Sequence, residues 1–297
     1  MLLNKKISIL FFIKTIKFDI IAIAVYAIVI GIADNNNILS QVSIPISITA
    51  ILGTCVSLLL AFRTSQAYER WWEARIVWGA IVNDSRTLIR QIKQYLPNED
   101  IDTVKEFSER QIIWCIALSE ALWGKSFSDR VRTYIESNGV KGRNVPNSLI
   151  NAHAENVKKL TAQEKLNGFA LLQIDNTLMG LCDSMGKCER IKNTVFPRSY
   201  SLLVHFLIYS FTTILPFGLS DESSIGIAIE ILVCATIPIF FIAIEKTAIL
   251  MQDPFENSPL DVPMTKLSET IEVNLLQTVD NNYNPSIKEE PTTFYQL

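Results

Sequence analysis

From Ser43 to Phe62 the chain reads SIPISITAILGTCVSLLLAF, a run of 20 residues without a formal charge that stops abruptly at Arg63. At a helical rise of about 1.5 Å per residue, such a run covers a hydrocarbon core of roughly 30 Å. Beyond Arg63 the composition changes to Arg, Glu, Trp and aliphatic residues, yet the pattern stays helical. Ala67, Trp71, Ala74, Trp78, Ile81, Ser85, Leu88, Ile92 and Tyr95 recur at alternating steps of four and three, which keeps a seam on one side of a helix facing a neighbour. Glu69, Arg70, Glu73, Arg75, Arg86, Arg90 and Lys93 fall on the other faces. The stretch predicts one long helix that leaves lipid and continues into a water-exposed bundle.

Three further apolar runs point the same way. Phe18 to Ala33, Val195 to Leu219 and Ile225 to Ile244 are each read as a membrane span. With 49% of the residues hydrophobic, an integral membrane protein with a soluble part is expected. Leu2 to Lys17 places Lys5, Lys6, Lys14 and Lys17 among Ile, Leu and Phe, as in a helix lying at a membrane surface. This opening also looks like a secretory signal, but no A-x-A site precedes Asp34 and three more apolar runs follow.

The loops at 34–41 and 220–224 carry no Lys or Arg, whereas the opening, the middle and the C-terminal region do. The positive-inside rule then puts both termini in the cytoplasm of a four-span protein of the inner (plasma) membrane. In the middle section, helices are expected over Asp100 to Trp123, Leu149 to Leu160 and Ala162 to Glu189. Lys125 to Asn147 is read as irregular because of Gly139, Gly142 and Pro146. The expected division is 1–62 for the interfacial helix and first two spans, 63–194 for a cytoplasmic helical domain and 195–250 for the last two spans. A cytoplasmic helical segment at 251–280 and a flexible tail at 281–297 complete it, with Glu245 onward joining the cytoplasmic body.

Several function classes are excluded. A net charge of −3 offers no basic surface for nucleic acid. Cys55, Cys115, Cys182, Cys188 and Cys234 are scattered without a CxxC, and His153 and His205 are the two histidines, so no metal or haem site and no cofactor is expected. No nucleophile elbow or Gly-rich phosphate loop is present, which argues against an enzyme. A membrane protein of this kind moves something or senses something. Thr54, Leu58 and Phe62, four apart, share one face of the second span. A ring of such helices lines a narrow apolar constriction that gates by dewetting; the plainer alternative is that Leu58 and Phe62 pack in a bundle or face lipid. Ionisable residues inside spans default to function, but Arg63 and Glu245 are read as interfacial residues satisfied by snorkelling. Glu230, near the outer end of its helix, is read as structural or mouth-lining rather than a proton relay, and His205, a turn or two inside its span, could like Glu230 pair within the bundle.

FRTSQAYERWWEAR (Phe62 to Arg75), WGAIVNDSRTLIRQ (Trp78 to Gln91) and DPFENSPLDVP (Asp253 to Pro263) resemble the bestrophin family, in its bacterial branch, and the likeness runs from the first span to about Leu276. The resemblance implies an all-α homopentameric channel with one axial pore, four transmembrane helices per chain and a cytoplasmic helical bundle. Its partners would be small monovalent ions, membrane lipid and further copies of the chain. Matching FR at Phe62 and Arg63 puts the pore neck on Thr54, Leu58 and Phe62. Matching the segment before GKCER (Gly186 to Arg190) puts the cytosolic aperture at Phe169. Thr54 replaces a bulky apolar residue of the family's neck, which implies a wetter and shorter gate, and Phe169 exceeds the usual small aliphatic, which implies a tighter aperture.

The seam from Ala67 to Tyr95, and a second one at Leu166, Phe169, Leu172, Leu178, Leu181 and Met185, are then expected between subunits. Animal members bind calcium after the last span. Here Asp253 and Asp261 remain but Ser258 stands at an acidic position, too few carboxylates for a cation that takes six to eight oxygens, so opening without calcium is expected. The resemblance favours chloride or another anion; a sodium channel of the same fold, or a non-conducting scaffold or sensor, is the alternative.

Overall fold

The computed structural model describes residues 9–35, 44–219 and 224–284. Within them the secondary structure is helical: α1 Ile9–Asn35, α2 Ile46–Tyr95, α3 Ile101–Trp123, α4 Asp129–Ser137, α5 Val145–Ala162, α6 Gly168–Asn193, α7 Arg198–Ile214, α8 Ser224–Gln252 and α9 Met264–Val279. Short 3-10 turns precede α3 and follow α7. The loop expected at 220–224, most of that at 34–41, the side chain of Glu230 and the tail from 285 onward lie outside the described residues.

The chain folds as two compact units. Of the described residues, one takes those within 9–70 and 195–252 and the other those within 71–194 and 253–284, with α2 contributing its first half to one and its second half to the other. Among the described residues two helices, α2 and the Ile231–Gln252 part of α8, are long and apolar enough to cross a membrane.

In the first unit α1 packs chiefly on α8, and α7 joins both. Its core is Ile23, Val56, Leu60, Val204, Ile208, Phe211, Cys234 and Ile242. Helix α2 comes close to α7 at Gly53, where an added Cβ would stand 2.9 Å from the Phe211 ring. Hydrogen bonds tie the helices where apolar packing alone would let them slide. Tyr200 donates to the Leu59 carbonyl at 2.8 Å, and the Tyr26 and Thr213 hydroxyls are 2.8 Å apart.

Three expectations are corrected here. The surface helix ending at Lys17 and the span starting at Phe18 are one helix from Ile9, because no Gly or Pro separates them. The run from Val195 to Leu219 forms only the 17 residues of α7, since Pro197 and Pro216 bound it. Glu245 to Gln252, assigned above to the cytoplasmic body, continue α8 within this unit, as nothing breaks the helix before Asp253 and Pro254.

The second unit is built around α3, which is buried on most of its circumference by α4, α5, α6 and α9. Trp78, Ile81, Leu88 and Ile92 of α2 meet Phe107, Ile113, Trp114 and Leu118 of α3 in one core. The predicted seam on α2 is therefore the buried face, but its partners lie in the same chain. That corrects its assignment to subunit contacts: a four-three pattern marks which face is covered and not whose residues cover it.

The second seam divides. Leu166, Leu178, Leu181 and Met185 are in the core, whereas Phe169 and Leu172 are 84% and 61% exposed. Helix α6 begins only at Gly168, because Asn167 caps it by accepting from the Ala170 N–H at 2.8 Å. The stretch read as irregular, Lys125 to Asn147, contains α4 and the start of α5. Pro146 sits in the first turn of α5, where its missing N–H costs nothing, and Asn144 caps that turn through the Asn147 N–H at 3.1 Å.

Candidate functional site

The residues assigned to a neck lie on the half of α2 that belongs to the first unit. Thr54 is exposed, and Leu58 and Phe62 are 55% and 56% exposed in the single chain. On the opposite side Val56 and Leu60 enter the core. Steps of four residues place Thr54, Leu58 and Phe62 about 6 Å apart along the helix, a strip of about 12 Å. The Thr54 hydroxyl donates to the Ala50 carbonyl at 2.8 Å, one turn back on the same helix. The strip carries no formal charge.

Arg63 comes next in sequence and would be the first charge beside that strip. The structure turns it away. Its side chain is 1% exposed; Nη1 donates to Glu245 Oε1 at 2.8 Å, Nη2 to Ser201 Oγ at 2.9 Å, and the guanidinium lies 5.5 Å from the Phe196 ring centre. Glu245 is fully buried, with its other oxygen 2.7 Å from His205 Nε2. Lys246 pairs with Asp19 of α1 at 3.2 Å. Arg63 and Glu245 are thus not interfacial residues reaching for water. They compensate one another inside the helix packing, which is what a buried charge requires. The sequence shows each residue at a span end; their juxtaposition needs the register of α2 against α7 and α8.

In the second unit Phe169 is the second residue of α6 and stands out from the surface. Asp261 is 2% exposed, and its carboxylate accepts from the Glu256 and Ser258 N–H groups at 2.6 and 3.0 Å and from the Ser258 hydroxyl. Burial pushes its carboxyl above the usual carboxylate range, against these hydrogen bonds, which pull it down. Asp261 thus closes the loop between α8 and α9, and Ser258 serves it as a donor. The loop is further tied to α2 by Trp71, whose Nε1–H donates to the Leu260 carbonyl at 2.8 Å. Asp253 follows directly on α8 and is partly buried. Among the described residues no three His, Cys, Asp or Glu side chains gather as a metal cage.

His153, on α5, is fully buried and stacks on Phe107 with ring centres 5.1 Å apart, and neither ring nitrogen has a hydrogen-bond partner. Burial, and secondarily the charge of Arg110, hold its pKa well below the ordinary value of 6.5, so it is neutral. It packs as an aromatic residue.

The profile of the family described as "Bacterial/Fungal Bestrophin protein" matches residues 8–277. This chain is a member of the bacterial and fungal bestrophin family. Its relatives include the voltage-dependent anion channel-forming protein YneE of Escherichia coli K12, 30% identical over 253 residues that cover 84% of this chain and 81% of the relative. The voltage-dependent anion channel-forming protein RSc3414 of Ralstonia nicotianae is 30% identical over 233 residues, or 75% of this chain and 74% of the relative. Among solved structures, a bacterial bestrophin homologue from Klebsiella pneumoniae superposes with a TM-score of 0.79 at 25% identity, covering 89% of this chain and 98% of that one.

Proposed function

We propose that this bestrophin is a homopentameric channel of the inner membrane that passes small monovalent anions, chloride among them, down their gradient. It is a transport protein and not an enzyme. Helix α1, the first half of α2, α7 and α8 cross the membrane, and both termini face the cytoplasm. Five copies of the Thr54–Leu58–Phe62 strip line the neck, and five Phe169 side chains narrow a second, cytosolic aperture. The observation that carries this reading is the exposed, uncharged strip on α2, whose neighbouring charge, Arg63, is turned inward and neutralised. The names of the relatives, as anion channel-forming proteins, support the choice of ion.

A neck of Leu and Phe conducts only when wetted, and Thr54 at its outer level shortens the dry stretch. Opening does not depend on calcium, because the Asp261 carboxylate is already occupied by backbone and Ser258 donors. Purified protein in liposomes under a chloride gradient tests the reading. Flux through wild type that rises in Leu58→Ala is the expected result. No flux in either protein, with correct insertion and a verified pentamer, would count for a scaffold or sensor.

A further inference from the structure

The neck strip does not end at Phe62. Helix α2 continues without a break, and seven residues further on, about 10 Å along and within about 20° around the helix, stands Glu69. Glu69 is exposed. Ser65 donates to one of its carboxylate oxygens at 3.4 Å, a long contact that leaves the group in water. Arg63, the one charge between Phe62 and Glu69, is buried and matched by Glu245. The next acid on this face, Glu73, is paired with Arg190 at 2.5 Å. The first uncompensated charge that an ion meets on leaving the strip is therefore the Glu69 carboxylate.

We infer that Glu69 is a specificity-determining residue at the inner mouth of the neck, where five carboxylates concentrate sodium, deplete chloride and thereby limit the channel's preference for anions. The inference rests on the pentameric channel proposed above. An uncharged neck makes no strong choice of sign, so the choice falls to the nearest fixed charge, and a ring of like charges around a low-dielectric passage focuses its field on the ions within. Because the mouth is wet, the effect fades as salt shortens the screening length from roughly 30 Å at 0.01 M to 8 Å at 0.15 M.

The test is the reversal potential of purified protein in a planar bilayer under a sodium chloride gradient, for wild type, Glu69→Gln, Glu69→Lys and Glu69→Asp. Wild type should pass sodium alongside chloride. Glu69→Gln should lower the sodium-to-chloride permeability ratio about tenfold at low salt and less at high salt. Glu69→Lys should lower it further, and Glu69→Asp should keep the wild-type ratio. An unchanged ratio in Glu69→Gln and Glu69→Lys, with wild-type currents present and melting unaltered, overturns the role of Glu69 and leaves the channel standing. A wild-type protein that carries no current overturns both.

Discussion

Replacing Glu245 by Ala leaves the Arg63 guanidinium at 1% exposure with only the Ser201 hydroxyl and the Phe196 ring for company. Removing one partner of a buried ion pair costs about 3–5 kcal/mol, because the remaining charge stays desolvated and unmatched. At roughly 2–4 °C per kcal/mol for a protein of this size, the melting temperature should fall by about 6–20 °C. Glu245→Gln keeps an acceptor oxygen near Nη1 and should lie between wild type and Ala. Removing both charges, as Arg63→Met with Glu245→Leu, replaces the pair by apolar side chains of similar volume. It should recover most of the loss, since a buried pair contributes little net stability against such a replacement. Thermal unfolding of detergent-solubilised protein, followed by loss of the monodisperse species, measures all four. A Glu245→Ala protein melting within about 2 °C of wild type, or a double variant as unstable as the single one, would refute the reasoning.

Three shorter predictions concern the second unit. His153 is held neutral in the fold, so below its unfolded value of 6.5 the unfolded chain binds the extra proton; stability is then lost as pH falls, by about 1.4 kcal/mol per pH unit. Chemical denaturation between neutral and mildly acidic pH should show that slope in wild type and a shallower one in His153→Leu. Asp261→Ala strands the Glu256 and Ser258 N–H groups and should cost about 1–3 kcal/mol, while calcium should change neither melting nor conductance of the wild type. Phe169→Ala should raise the unitary conductance of reconstituted channels, and an unchanged conductance would remove Phe169 from the ion path.

Helical periodicity carried much of the fold. The seam from Ala67 to Tyr95 was legible because nine positions repeat the same step, and the core of the second unit uses that face. What covers the face was not legible, and the resemblance to a pentamer invited the wrong partner. Helix α4 was missed because its nine residues bury only Val131 and Tyr134, too few to set a period against two nearby glycines. The strip of Thr54, Leu58 and Phe62 could be placed on one side of a helix from spacing alone. The Arg63–Glu245–His205 cluster could not, since its members come from three helices and 182 positions separate its ion pair. Nor does the sequence disclose that Arg63 is buried against Glu245 while Glu69 is exposed.

The second unit is discontinuous in the chain. Helix α9 lies on α3, with Met264, Ile271 and Leu275 in the shared core and Arg130 gripping Glu272 through two bonds of 3.1 and 2.9 Å. Helices α7 and α8 are synthesised between those two halves. On the ribosome, α3 must therefore wait with an apolar flank uncovered until α8 has been made and α9 emerges. A premature stop before Met264 would remove none of the proposed pore residues, yet it would leave that flank bare for chaperones and proteases to find.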